Sequence, residues 1–134
     1  MTALASFGLL LIRVILGVSF AAHGSQKLFG WFGGHGLEGT GGFFESIGIK
    51  PGKTMAFLAG LGELVGGLLF ALGLLTPIGA ILIALTMIVA IAKVHGPNGW
   101  IQPNGYEYNL LLIVVAIAVA LVGPGTYAID SILF

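Results

Sequence analysis

Apolar residues fill four stretches of the chain, 5–22, 54–75, 77–94 and 105–122, with few polar positions among them. Each is 18–22 residues long. At ~1.5 Å per residue such a helix spans roughly 27–33 Å, the thickness of a bilayer's hydrocarbon core. The pattern predicts an all-α fold: a four-helix transmembrane bundle, with residues 1–134 forming one integral membrane domain. Only Thr76 separates the second stretch from the third, so these two form a tight antiparallel hairpin. Thr76 is the expected N-cap of the third helix and Pro77 its first position. Gly123-Pro124 stops the fourth.

Between helices 1 and 2, the segment 23–53 is dense in glycine yet carries Trp31, Phe32, Phe43, Phe44 and Ile47. A flexible linker has no use for those aromatics. They predict a glycine-rich turn followed by a short interfacial helix over about 40–47. A second long connection, 95–109, lies on the same side of the bundle. The tail "TYAIDSILF" is expected along the opposite interface, with Tyr127 at headgroup level.

Composition sharpens this picture. The chain is 57% hydrophobic and 7% charged, with a mean hydropathy of +1.09, whereas a soluble domain carries about 25% charged residues. Five basic residues balance five acidic ones, which leaves no basic face for nucleic acid. The absence of cysteine excludes disulfides, iron–sulfur ligation and a cysteine nucleophile. Nothing basic precedes the first apolar run and Arg13 interrupts it, so a cleavable signal is not expected. Lys27, Lys50, Lys53 and Lys93 all border the two long loops. The positive-inside rule then places loops 23–53 and 95–106 in the cytoplasm and both termini outside.

Two charges lie inside apolar runs, Arg13 and Glu63. Each costs roughly 2.5–3.5 kcal/mol at the bilayer centre. Counted from the expected loop ends at His23 and Thr54, both sit about 14–15 Å deep on antiparallel helices. An Arg13–Glu63 ion pair inside the bundle is therefore expected. Arg13 shares its helix face with Ser6, Gly17, Phe20, Gly24 and Lys27; Glu63 shares one with Ala56, Ala59, Gly60, Gly67 and Phe70. Those small residues let the backbones approach, and Gly62 and Gly66 offer a second such face. Such a pair either fixes helix register alone or lines a polar pocket.

His23, Lys27, His35, Lys93, His95, Gln102, Glu107 and Asn109 gather toward the loop side, whereas the other end of the bundle has almost no polar side chains. A one-sided pocket is expected there. Several members have plainer explanations. Lys27 and Lys93 can snorkel to headgroups, Glu107 has capping-box spacing from Asn104, and His23 and His95 suit helix C-termini. No His or Glu pair has helix-face metal-ligand spacing, so no metal or haem is expected.

The runs "LLLIRVILGVSFAAHGSQKLFGWFGGHGLEGTGGFFESIGI", "AGLGELVGGLLFALGLLTPIGA" and "NGYEYNLLL" together resemble the DoxX/DoxD-like integral membrane proteins, over nearly the whole chain. The resemblance implies a prokaryotic inner-membrane protein whose defining positions are Arg13, the His23–Lys27 stretch, the glycine loop, Glu63 and Tyr106–Asn109. It also implies a quinone-interacting subunit of a membrane oxidoreductase, with quinone as cofactor and either a partner redox subunit or a homo-oligomer. On that reading Glu63 and Glu107 handle protons, and Arg13, His23, Lys27, Lys93, His95 and Asn109 bind the headgroup. Two other readings stay open: a non-enzymatic protein that binds or passes a small anion or lipid, and a scaffold subunit of a membrane complex.

Overall fold

In the computed structural model, which describes all 134 residues, the chain is entirely helical. Helix α1 runs Ala3–Phe29, α2 Gly36–Ser46, α3 Gly52–Leu72, α4 Thr76–Ala90, α5 Glu107–Val122 and α6 Ile129–Leu133. Helix α4 continues through one π-helical turn, Ile91–His95, before the chain leaves the bundle. Three of these segments are long and apolar enough to cross a membrane, and α5 is a shorter apolar helix. The protein is a helical membrane bundle.

The first helix is longer than its apolar run. It continues through His23 to Phe29 and stops only at Gly30, which is left-handed with φ 75° and returns its N–H to the carbonyl of Gln26. Gly24 looks like a stop but serves packing. A Cβ there would lie 2.5 Å from the Gly60 carbonyl oxygen and from the Leu64 nitrogen; one on Gly17 would lie 2.5 Å from the Gly67 carbonyl oxygen. Gly17 and Gly24 on α1 thus meet Gly67 and Gly60 on antiparallel α3, backbone against backbone. On α3's other side, Gly66 takes Leu82 and Gly79 of α4. Below the loop side, Phe20, Phe70, Ile83, Met87, Ala116 and Val119 close a small core.

Packing runs in sequence from α1 to α3, α3 to α4 and α4 to α5, with α2 laid across α3 and α1; α1 and α5 hardly approach each other. The bundle is therefore a curl of helices whose widest seam lies between α1 and α5, where core side chains rather than backbone approach close the gap.

Three local expectations are corrected. The interfacial helix begins at Gly36, earlier than residue 40, and Gly41 packs directly on Lys53 at the start of α3. Helix α5 starts at Glu107 without a side-chain cap. The expected box fails because Asn104 takes the left-handed conformation (φ 59°) and gives its carbonyl to His95 and Asn98. Thr76 is not an N-cap but the first helical residue of α4, whose end is capped by Asp130 from the far end of the chain.

The glycine contacts make a paired prediction. Gly24→Ala should destabilise the detergent-solubilised bundle by about 1–3 kcal/mol, the usual cost of overpacking. Gly8→Ala, where nothing lies within 4 Å, should be neutral or slightly stabilising. Thermal unfolding of the two variants followed by circular dichroism checks this.

Candidate functional site

The expected Arg13–Glu63 pair does not form. Arg13 lies level with the end of α3 and donates from Nη1 to the Ala71 carbonyl (3.3 Å) and from Nη2 to the Tyr127 carbonyl (2.6 Å). Glu63 is eight residues nearer the start of α3 than Ala71, about 12 Å along the axis. The faces were read correctly, since Ser6, Gly17, Phe20, Gly24, Ala56, Gly60, Gly67 and Phe70 are all buried with the two charges. The depth was not, because α1 runs on to Phe29 and carries Arg13 toward the opposite end.

Arg13 is fully buried, and its Nε has no partner. Its cost is offset by position: a cation at the C-terminus of α3 meets the helix's unpaired carbonyls and the negative end of its dipole. Gly73, left-handed at φ 65°, leaves room for the guanidinium, since a Cβ there would collide with Nη1. On the other side of this turn Asp130 accepts from the backbone N–H groups of Leu75 (2.7 Å) and Thr76 (2.8 Å) and from the Thr76 hydroxyl (2.7 Å). Its own N–H returns to the Gly73 carbonyl at 2.8 Å. The α3–α4 turn is held between a cation that caps the helix ending there and an anion that caps the helix beginning there. Partial burial pushes the Asp130 carboxyl up, but the bonds from Thr76 and Leu75 and the charge of Arg13 outweigh it and hold the group below the ordinary carboxylate range. Asp130 escaped the sequence reading. Its signal was that Arg13 and Asp130 are the only charged side chains on that side of the bundle.

Glu63 pairs instead with Lys27, Nζ to Oε1 at 2.7 Å. The Glu63 side chain is 3% exposed and that of Lys27 25%. Both border a cavity of about 810 Å³ on the loop side. His23, Lys93, His95 and Asn109 line it too, as do His35 and Gln26, while Arg13 and Glu107 do not. Arg13 is enclosed away from this cavity, and Glu107 is exposed at the start of α5, also outside it. Lys27, Lys93 and Glu63 are the formally charged residues of the lining, so with neutral histidines it holds one excess positive charge. The walls between them are apolar and partly aromatic, with Phe20, Phe43, Phe44 and Met87 among them.

Two polar groups have settled hydrogen-bond roles. His95 sits on the π-helical turn with Nδ1 2.9 Å from the Asn104 carbonyl. A carbonyl oxygen only accepts, so Nδ1 carries the proton and Nε2 is left as an acceptor. Asn109, 4% exposed, donates to the Met87 sulfur at 3.3 Å, a weak acceptor that leaves much of the amide's capacity unused. The cavity thus offers an ion pair with a buried carboxylate, a second lysine and an imidazole whose Nε2 accepts when the ring is neutral, all on apolar walls.

The model of the DoxX family matches residues 8–96. The chain belongs to the DoxX family. Among its relatives is "Putative oxidoreductase CatD" of Bacillus subtilis (strain 168), 39% identical over 127 residues that cover 95% of this chain and 87% of the relative. Another is "Uncharacterized membrane protein Rv3486" of Mycobacterium tuberculosis, 29% identical over 130 residues, covering 89% of this chain and 77% of that protein. No solved structure matches the chain. The matched region holds α1 to α4, and with them Lys27, Glu63, Lys93 and His95.

Two outcomes test this assignment of charges. Lys27→Met strands the Glu63 carboxylate and should destabilise the bundle by about 3–5 kcal/mol, with much of that recovered in Lys27→Met/Glu63→Gln; chemical unfolding of both variants reads it. Because Asp130 titrates below its unfolded value, its stabilisation is complete above that value, about 3.9, and is lost as pH falls through the lower folded one. The melting temperature of the wild type should hold from pH 7 to 5 and drop below about pH 4, and Asp130→Asn should start lower and drop less.

Proposed function

We propose that this DoxX protein is a quinone- or quinol-binding redox subunit of the bacterial inner membrane, with its headgroup site at the Lys27–Glu63 pair. The observation that carries the reading is the meeting in one cavity of a charged donor, a buried carboxylate, an imidazole and apolar walls. A flat ring with oxygens at its edge needs that set. Lys27 or Lys93 donates to a ring oxygen, His95 Nε2 accepts from a ring hydroxyl, and Phe20 and Met87 cover the faces.

Quinone reduction takes up two electrons and two protons, and the chain's own part is with the protons. When quinol is oxidised, the Glu63 carboxylate beside Lys27 takes one proton and His95 takes the other at Nε2; in reduction the same two groups, protonated, give them back to the ring oxygens. No side chain here passes electrons at ordinary potentials, so a partner redox subunit supplies or removes them. The oxidoreductase name of the Bacillus relative supports this direction.

The excess positive charge of the lining also favours a small organic anion, and the test separates the two. Purified protein in nanodiscs is titrated with a benzoquinone analogue and with benzoate. The quinone reading expects saturable analogue binding, weakened about tenfold or more by Lys27→Ala and by His95→Phe, and unchanged by Arg13→Met once folding is verified. Benzoate binding without analogue binding would transfer the site to the anion reading.

A further inference from the structure

The seam between α1 and α5 runs beside the cavity. A groove of about 290 Å³ lies there, bordered by Ile12, Ile15 and Ser19 of α1 and by Tyr108 and Leu112 of α5. Phe20, Tyr108 and Leu112 line both this groove and the large cavity, so the two spaces adjoin and share these three side chains as their common wall. The groove is almost wholly apolar, and Ile15 and Tyr108 are exposed where the bundle faces lipid. Every other neighbouring pair of long helices is closed by backbone approach.

We infer that the cavity is reached from within the bilayer through the α1/α5 seam, and that its ligand is a lipid-dissolved molecule whose single apolar tail stays in the groove. This rests on the headgroup reading above and names the substrate class it requires. The size of the groove decides between occupants. At the ~30 Å³ share of volume that a water-sized group takes, the groove holds about ten such groups in file. That is the first stretch of one hydrocarbon or isoprenoid chain. A helix from a second copy, about 10 Å across with its side chains, does not fit. Polarity is graded to match: charge and imidazole deep in the cavity, Phe20 and Leu112 at the junction, aliphatic side chains along the groove.

The experiment uses the full chain in nanodiscs with two probes that share a head: a decyl-substituted dimethoxy-methylbenzoquinone and the same ring without the decyl chain. Affinities are taken against the probe's concentration in the bilayer, so partitioning cancels. Ser19→Trp and, separately, Ile15→Trp fill the groove from exposed positions, and Ile81→Trp places the same bulk on the lipid-facing side of α4 as the control. The wild type and the control should bind the tailed probe about tenfold more tightly or better than the tail-less one. Both groove variants should lose that advantage while their affinity for the tail-less probe stays within about twofold. Equal affinity of the two probes for the wild type, or an advantage that survives both groove variants, overturns the seam. If neither probe binds the wild type, the headgroup reading itself falls. Capture of a second copy by a photo-crosslinker at Ser19 in place of the tailed probe overturns the choice of occupant.

Discussion

The register of α1 against α3 fixes everything else in this molecule, and backbone contact between glycines sets it. Gly17 and Gly24 meet Gly67 and Gly60 at distances no side chain allows. A seven-residue spacing on both helices gives two contact points, and two points determine an antiparallel register. In lipid, where apolar side chains gain nothing by leaving their surroundings, such close packing is what holds helices together. Each charged residue then has to find its partner at the depth the glycines assign to it.

The two intramembrane charges meet that demand in different ways. Arg13 arrives at the end of α3 and uses helix carbonyls, with Asp130 across the turn completing the arrangement. Glu63 arrives where α1 presents Lys27. The first arrangement is enclosed and structural. The second faces a cavity, with one ion of the pair still partly accessible. Burial alone therefore does not set the two charges apart; the space beside Glu63 does.

Much of this was legible in the sequence. Helical periodicity put the right residues on the inner faces of α1 and α3, and the uneven distribution of polar groups placed the cavity on the loop side and drew His23, Lys27, Lys93, His95 and Asn109 to it. Depth was less legible, because it depended on where helix 1 stops. Gly24 and Gly30 are the same residue type with opposite roles, one for close approach and one for a left-handed cap, and local sequence does not tell them apart. Asp130 is a harder case. It caps a helix 54 residues away, and no periodic pattern reports a contact of that range. Only the isolation of two lone charges at one end hinted at their proximity.

The clasp at the α3–α4 turn has a consequence for how the protein is made. Arg13 lies on α1, whereas the carbonyl of Tyr127 and the carboxylate of Asp130 come after α5, more than a hundred residues later in the chain. As the chain is made, the guanidinium gains its partners in turn, the Ala71 carbonyl with α3 and the Tyr127 carbonyl only after α5. The α3–α4 hairpin therefore receives its second cap, from Asp130, only after α5 has followed it into the membrane.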